Sequence, residues 1–177
     1  MFDLNLDKLE LLKIAHIIEV ELATGLGDVI AQGSKGIVIR NKPGFEGINS
    51  ISNILEEDLY VITKTIGEID TKSVIKNTEM AEKINKLGIN ATKDLLKNKT
   101  TDSLMKLSYD FAKNSSLINN ELMAIIKEMN KNSLGSSMAM LGNTAFALSN
   151  NIDEDLDNIN LDNLLVSQVD NIGIRFI

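Results

Sequence analysis

The sequence predicts an α+β fold in which a mostly antiparallel sheet packs against helices. Three observations support this class. Strand-like and helical segments follow one another in blocks and do not alternate one by one. A turn signal of the hairpin kind, Gly142-Asn143, lies between two apolar segments. Apolar residues make up 44% of the 177 residues, which is enough to bury the core of one domain, or of one domain and a fragment of another.

The first predicted element is a strongly apolar helix that is not amphipathic. Asp7 can act as its N-cap and Glu10 can complete a capping box three residues later. Residues 24–27 are predicted to end the helix, with Gly25 as a left-handed C-cap. Its apolar side chains point nearly all round the helical wheel, so the helix is expected to pack on more than one side. These apolar residues are Leu9, Leu11, Leu12, Ile14, Ile17, Ile18, Val20 and Leu22.

The later segments are read from periodicity and turn residues. Residues 37–39 and 59–62 are predicted as buried strands divided by the turn at Pro43-Gly44. A helix is predicted over 72–87, closed by Gly88. The remaining predicted elements are helical segments over 90–97, 101–112 and 117–130, a hairpin with strands 137–141 and 144–148, a helix over 153–165 and a closing strand over 169–177.

Composition and charge exclude several classes of function. With 25 acidic and 18 basic residues the net charge is −7, and few aromatic residues are available for base stacking, so no nucleic-acid partner is expected. The chain has no cysteine and one histidine, which excludes disulfides, thiolate metal sites and polyhistidine zinc sites. The start of the sequence does not resemble a signal peptide, and no apolar stretch could span a bilayer. A cytoplasmic protein without membrane contact is therefore expected.

Two acids nine residues apart, Glu19 and Asp28, are the first candidate for chemistry. One acid could hold a metal ion while the other takes a proton from an alcohol, as in phosphoryl transfer. Asp28 follows a Gly-Leu-Gly turn, which could present it to a cleft, or it could cap a short helix through Gln32. Glu19 has no obvious helix-surface partner other than His16, one turn earlier. It lies among apolar residues, where an acid needs a cation, and Mg²⁺ or a lysine or arginine from elsewhere could supply it.

Three further segments have both a chemical and a structural interpretation. Arg40, at the end of a predicted strand, could bind a carboxylate at two points or form an ordinary ion pair. Gly135, Ser136 and Ser137 could bind phosphate oxygens, although a plain loop leading into a strand explains them equally simply. His16 is interpreted as a packed helix residue. The chain has no Gly-x-x-x-x-Gly-Lys-Ser/Thr element, which excludes a P-loop nucleotidase.

Several segments together resemble a known family. They include Gly-Leu-Gly-Asp at 25–28 and Ser-Met-Ala-Met-Leu-Gly at 137–142, and the full set is residues 15–21, 24–32, 36–40, 43–44, 70–73 and 135–142. In this order they resemble the archaeal pantoate kinases of the GHMP kinase superfamily. The resemblance implies a GHMP kinase C-terminal-type domain over residues 36–177. It also implies that residues 1–35 are a helix and a catalytic turn from the end of the N-terminal kinase domain.

The resemblance also implies roles for single residues. Asp28 would be the base facing the pantoate hydroxyl, Glu19 would hold Mg²⁺, and Arg40 would bind the pantoate carboxylate, with Lys72 as a further substrate contact. Gly135, Ser136 and Ser137 look like the third motif of the superfamily, which lies near the phosphates of ATP. The product would be 4-phosphopantoate, on the archaeal route to coenzyme A.

The sequence departs from the family in one large respect. A full member has an N-terminal part with the glycine/serine phosphate loop, and this sequence begins at the helix after that loop. Without those donors little would position ATP, so the chain alone is expected to be inactive. Two hypotheses follow. The chain is part of a split pantoate kinase completed by a separate N-terminal polypeptide, or it is a noncatalytic interaction module. Both predict a homo-oligomer or hetero-oligomer, because a helix apolar on all sides should be covered.

Overall fold

The structure is a computed structural model that describes residues 6–22, 28–45, 51–67, 77–140 and 142–175. The chain divides into two compact units. The first contains residues 1–57 and 170–177, and the second contains residues 58–169. The predicted domain boundary after residue 35 refers to the complete kinase fold and stays a prediction. Among the helices of the described ranges, none combines the length and the apolar run that crossing a bilayer would require.

The first unit contains two helices and a two-stranded sheet in its described residues. Its elements are α1 (Lys8–Leu22), α2 (Asp28–Gln32), β1 (Ile37–Arg40) and β2 (Ile51–Ile54). Strands β1 and β2 pair antiparallel, with Ile37 opposite Ile54. Strand β1 was predicted from the sequence, whereas β2 was not. The segment Ile-Ser-Asn-Ile is too short and too polar to show a clear alternation of apolar and polar residues.

The predicted capping box at the start of α1 is confirmed. The Asp7 amide donates to Glu10 Oε2 at 2.9 Å, and the Glu10 amide donates to Asp7 Oδ1 at 2.8 Å. Two of the amides that a helix start leaves without partners are thereby satisfied. The predicted C-cap at residues 24–27 lies outside the described residues.

Helix α1 turns an unusual face towards the interior of the first unit. Its least exposed residues follow the spacing i, i+3, i+4, i+7, and they are Leu12, Ala15, His16 and Glu19. The large apolar side chains lie on the other faces, where they are 44% to 65% exposed. They are Leu9, Leu11, Ile14, Ile17, Ile18, Val20 and Leu22. We predicted that α1 packs on more than one side. Within the described residues, however, α1 is covered along a single stripe, the one that contains His16 and Glu19.

Residues 170–175 belong to the first unit and form a turn, so the strand predicted over 169–177 is wrong for these residues. Asp170 is the physical reason. Its Oδ1 accepts hydrogen bonds from the amides of Ile172 and Gly173, and a side chain bonded to its own backbone in this way competes with strand pairing. These two amides and the Arg175 guanidinium hold the pKa of Asp170 below its usual value.

The second unit is a four-stranded antiparallel sheet with helices. Its elements in the described residues are β3 (Tyr60–Gly67), α3 (Thr78–Lys97), α4 (Thr101–Ser115), α5 (Asn120–Met129), β4 (Gly135–Met138), β5 (Asn143–Ser149), α6 (Ile152–Asn158) and β6 (Leu165–Gln168). The strand order is β4-β5-β3-β6, and each neighbouring pair is antiparallel. The predicted α+β class with a mostly antiparallel sheet is therefore confirmed.

The core of the second unit lies between the sheet and α5. The apolar face predicted for this helix is confirmed, because Leu122, Ile125, Ile126 and Met129 are all buried. From the sheet side they meet Ile62, Ala145 and Ala147, which are fully buried. The helix itself begins later than predicted, with Asn119 as the N-cap whose side chain accepts from the Leu122 amide at 2.8 Å.

Three other predicted boundaries in the second unit are also wrong. The hairpin has a longer connection than the predicted Gly142-Asn143 turn, because Ala139 bonds to Thr144 and Asn143 already lies in β5. The helix predicted over 153–165 ends at Asn158, and Leu165 is instead the first residue of β6. The third error concerns α3, which does not close at Gly88 but continues to Lys97. Gly88 packs near Phe111 of α4, and this helix contact outweighs the low helix propensity of glycine.

Gly88→Ala is expected to stabilise the second unit by about 0.5–1 kcal/mol, because alanine loses less backbone entropy than glycine inside a helix. The added Cβ would lie 3.8 Å from Phe111 Cε2, which is an ordinary contact. Urea denaturation measures the change. Ala91→Gly, three residues later in the same helix, is the matched control and should destabilise by a similar amount. A destabilised Gly88→Ala variant would contradict an uninterrupted α3.

Candidate active site

Asp28 is the first residue of α2, and a buried glutamate binds its backbone. The Asp28 amide donates to Glu19 Oε1 at 2.9 Å. The alternative prediction, that Asp28 caps a short helix through Gln32, is correct about the helix. The first amide of this helix, however, is bound by the Glu19 carboxylate and not by the Asp28 side chain. The Asp28 side chain is exposed, and its carboxylate forms no hydrogen bond to the described residues. The residue therefore has a fixed backbone and an accessible carboxylate.

Glu19 is a buried carboxylate, only 7% exposed, that connects α1 with α2. Its Oε1 accepts from Asp28, and its Oε2 lies 3.3 Å from His16 Nδ1. His16 is the donor of this pair in the tautomer that carries a proton on Nδ1, because a carboxylate oxygen accepts the bond. The spacing of i and i+3 on one helix was the sequence signal for this contact, and the sequence analysis noted no other helix-surface partner for Glu19.

His16 is 8% exposed, as expected for a packed helix residue, and its ring lies against Phe45. The two ring centroids are 6.2 Å apart with an angle of 32° between the planes. Phe45 follows Gly44, whose carbonyl accepts from Arg40 Nη2 at 3.3 Å. Sequence reasoning did not identify Phe45, because a single aromatic residue after a turn has no helical or strand periodicity to place it.

Two of the three predicted residues, Glu19 and Asp28, are in direct contact, whereas the described contact of Arg40 is with Gly44, the residue before Phe45. Asp28 touches Glu19, Glu19 touches His16, and the His16 ring meets Phe45 beside the turn that Arg40 binds. The other predicted substrate contact, Lys72, lies outside the described residues. The catalytic and substrate-binding roles of these residues stay predictions.

The described residues contain no group of three histidine, cysteine, aspartate or glutamate side chains that could hold a metal ion. Mg²⁺ in kinases commonly has one or two protein carboxylates, with water and substrate phosphates as its other ligands. A single glutamate with phosphate oxygens is a ligand set of this kind, and Glu19 is the carboxylate predicted for it.

Gly135, Ser136 and Ser137 lie in the second unit, where they are part of β4 and are buried. The interpretation of this segment as a loop is therefore wrong, because β5 pairs with it in full register. The Ser136 amide donates to Asn130 Oδ1 at 3.2 Å and its hydroxyl donates to the Ile126 carbonyl at 2.6 Å. These donors are engaged within the unit. The predicted contact of this segment with ATP stays a prediction.

Three curated relatives carry the name pantoate kinase. The chain is 46% identical over 137 residues to the one from Methanocaldococcus jannaschii, covering 77% of this chain and 50% of the relative. It is 37% identical over 137 residues to that of Thermococcus kodakarensis, covering 77% and 45%. For Methanospirillum hungatei JF-1 the identity is 34% over 149 residues, covering 84% and 48%. The predicted resemblance is confirmed, and the chain spans about half the length of these relatives.

Solved structures confirm the GHMP kinase type of fold. A "phosphotransferase related to CoA biosynthesis pathway" aligns with a TM-score of 0.81 and 31% identity, over 93% of this chain and 56% of its own. A mevalonate kinase aligns with a TM-score of 0.65 and 19% identity, over 94% and 58%. The homoserine kinase from Cytophaga hutchinsonii gives 0.65 and 18%, over 95% and 60%. No family model matches the chain.

Proposed function

From the resemblance to pantoate kinases over 77% of its length, we propose that this chain supplies the C-terminal portion of an ATP-dependent pantoate kinase. The reaction transfers the γ-phosphoryl group of ATP to the primary hydroxyl of pantoate and gives 4-phosphopantoate and ADP. The single observation that supports it most is the position of Asp28, an accessible carboxylate whose amide is bound by the buried Glu19.

Asp28 is the proposed general base. Its carboxylate would accept the hydroxyl proton as the hydroxyl oxygen bonds to the γ-phosphorus and the bond to ADP breaks. A base of this kind needs hydrogen-bond reach to the hydroxyl and a fixed position, and the bond from its amide to Glu19 provides the second requirement. Phosphoryl transfer depends mostly on positioning and charge stabilisation, so a fixed base is a useful contribution from this half of the fold.

Glu19 and Arg40 are the proposed ligands of Mg²⁺ and of pantoate. Mg²⁺, when bound, would neutralise charge on the phosphate oxygens, and Glu19 would be its protein ligand. Arg40 would bind the pantoate carboxylate at two points. The bond of its Nη2 to the Gly44 carbonyl places the guanidinium beside the turn at Pro43-Gly44. Lys72 is proposed as a further substrate contact.

An N-terminal part, in the same or in a separate polypeptide, is proposed to complete the active site. The exposed apolar residues of α1 are the surface that it would cover, since Ile17, Ile18 and Leu22 are 44%, 48% and 65% exposed. Contiguous apolar surface of this kind normally marks an interaction site. The donors that hold ATP are expected on that part, and without them the residues described here should not catalyse phosphoryl transfer.

A noncatalytic module is the second candidate, and the same exposed face of α1 favours it. In this case the apolar residues would serve self-association or the binding of another protein. The two candidates differ in one measurable respect. Only the kinase requires an intact Asp28 carboxylate, whereas a module that binds through α1 does not depend on it.

Reconstitution tests the proposed function. The chain is co-expressed with the N-terminal half of the Methanocaldococcus jannaschii relative, and phosphopantoate formation from ATP and pantoate is followed by mass spectrometry. The pair is expected to form product, and each half alone is expected to form none. Co-purification of the two halves without any turnover would favour the noncatalytic module. Full turnover by this chain alone would refute the need for an N-terminal part.

Ile17→Glu is expected to weaken the association of the two halves by at least tenfold. Burying an isoleucine side chain contributes about 1.5–3 kcal/mol, and a carboxylate at that position would have to be desolvated. Calorimetric titration of one half with the other measures the dissociation constant. Leu165→Glu is the matched control, because Leu165 is 71% exposed and lies in the second unit. Equal dissociation constants for both variants would show that α1 is not the covered surface.

A further inference from the structure

We propose that His16 is a positioning residue, whose Nδ1–H holds the Glu19 carboxylate in the orientation that binds the Asp28 amide. The expected effect of His16 on catalysis rests on the proposed function. The contacts themselves are independent of that function: Nδ1 lies 3.3 Å from Glu19 Oε2, and the Asp28 amide lies 2.9 Å from Oε1.

His16 and Glu19 are both buried, with 8% and 7% of their surface exposed. Neither group can therefore replace a lost partner with bulk water at little cost. A buried polar group without a hydrogen bond is strongly disfavoured. If His16 loses its donor, Glu19 is therefore expected to turn its carboxylate to find another partner.

Both oxygens of the Glu19 carboxylate have a described contact. One oxygen lies at His16 Nδ1 and the other accepts from the Asp28 amide, so the His16 contact is one of those that restrain the rotation of the carboxylate about its last torsion. That torsion is broad for a glutamate without such contacts. Loss of the His16 contact would remove this restraint and is expected to loosen the amide of Asp28, the residue proposed to meet the substrate hydroxyl.

The ring of His16 has a second contact that can be separated from the first. Its face lies against Phe45 with centroids 6.2 Å apart, whereas the donor to Glu19 is at the ring edge. Phe45 is next to Gly44, which accepts from Arg40. A structural role of His16 would depend on the ring, and a positioning role for Asp28 depends on the Nδ1–H.

Two variants separate these roles. His16→Asn places an amide donor close to the position of Nδ1 and removes most of the ring, and His16→Phe keeps an aromatic ring and removes the donor. In the complete enzyme His16→Phe is expected to lower kcat by about 10–100-fold, because a small displacement of a catalytic group has effects of this size. The KM for ATP should stay within about threefold, and His16→Asn should retain kcat within about threefold. The reverse order of the two variants would overturn the proposal.

A readout independent of catalysis uses the chain itself. Amide hydrogen exchange of Asp28, followed by NMR, is expected to be roughly tenfold faster in His16→Phe than in the wild type and unchanged in His16→Asn. The Gly36 amide, which donates to the Asp170 carbonyl at 2.7 Å, is the internal control and should not change. If Asp28 exchanges equally fast in all three proteins, the proposal is wrong.

The two measurements distinguish failure of the inference from failure of the proposed function. The expected exchange pattern without any kinase activity would support the position of His16 and count against the pantoate kinase. If His16→Phe does not fold, His16→Gln replaces it, since its amide reaches the position of Nε2 and not that of Nδ1. Its exchange and kcat are then expected to follow those predicted for His16→Phe, and wild-type values would overturn the proposal.

Discussion

Asp28→Asn is expected to lower kcat of the reconstituted kinase by about 10²–10⁴-fold, the range that a general base contributes. Asparagine has nearly the same shape as aspartate and keeps the amide that donates to Glu19 Oε1, so the backbone should not move. It cannot accept the hydroxyl proton. The KM for ATP is expected to change by less than about threefold, because the lost interaction belongs to the transition state. Initial rates of phosphopantoate formation give both parameters.

Glu57→Gln is the matched control for this substitution. Glu57 is an exposed acid of the same unit, and its loss should leave kcat unchanged. The melting temperature of Asp28→Asn should equal that of the wild type, which separates a lost proton acceptor from a lost fold. A fully active Asp28→Asn enzyme would exclude Asp28 as the base.

Gly135→Ala is expected to destabilise the second unit by about 2–5 kcal/mol. Two costs combine at this position. The φ of Gly135 is 152°, a conformation that residues with a Cβ rarely adopt and that costs about 1–3 kcal/mol. The added Cβ would also lie 2.5 Å from Met105 Cβ, and overpacking of this kind costs about 1–3 kcal/mol. Urea denaturation followed by circular dichroism measures the change.

Gly67→Ala provides the comparison. Gly67 ends β3, and among the described residues an added Cβ there would meet Asn143 Nδ2 at 3.4 Å and nothing closer, so the expected change is below about 1 kcal/mol. A second test uses Met105→Ala, which should cost less in the Gly135→Ala background than in the wild type, because the methionine stem no longer collides with the new methyl group. A Gly135→Ala protein as stable as the wild type would contradict the described packing of β4 against Met105.

Gly135 illustrates how far sequence reasoning extended in the second unit. Gly-Ser-Ser was interpreted as a loop that could bind phosphate or simply lead into a strand, but the segment is itself a buried strand whose glycine lies against Met105 of α4. Local pattern could not reveal this, because the contact joins residues 30 positions apart in the chain and depends on how α4 packs on the sheet. The same limit applies to α3, where the contact near Phe111 keeps the helix intact through Gly88.

Predictions were correct where the cause was local. The capping box of Asp7 and Glu10 depends on residues three apart, and the buried face of α5 depends on spacings of three and four. The contact of His16 with Glu19 is of the same kind. For this reason sequence reasoning identified the potential partners on α1, although it could not tell which oxygen of Glu19 binds which donor.

The sequence by itself determined the fold class, the resemblance to pantoate kinases and the candidate residues Glu19, Asp28 and Arg40, because motifs and periodicities are local properties of the chain. Only the tertiary structure decided that Glu19 binds the amide of Asp28 and that Phe45 lies against the ring of His16. These contacts join α1, α2 and the turn after β1. Their geometry depends on how those elements pack, and no spacing in the sequence encodes it.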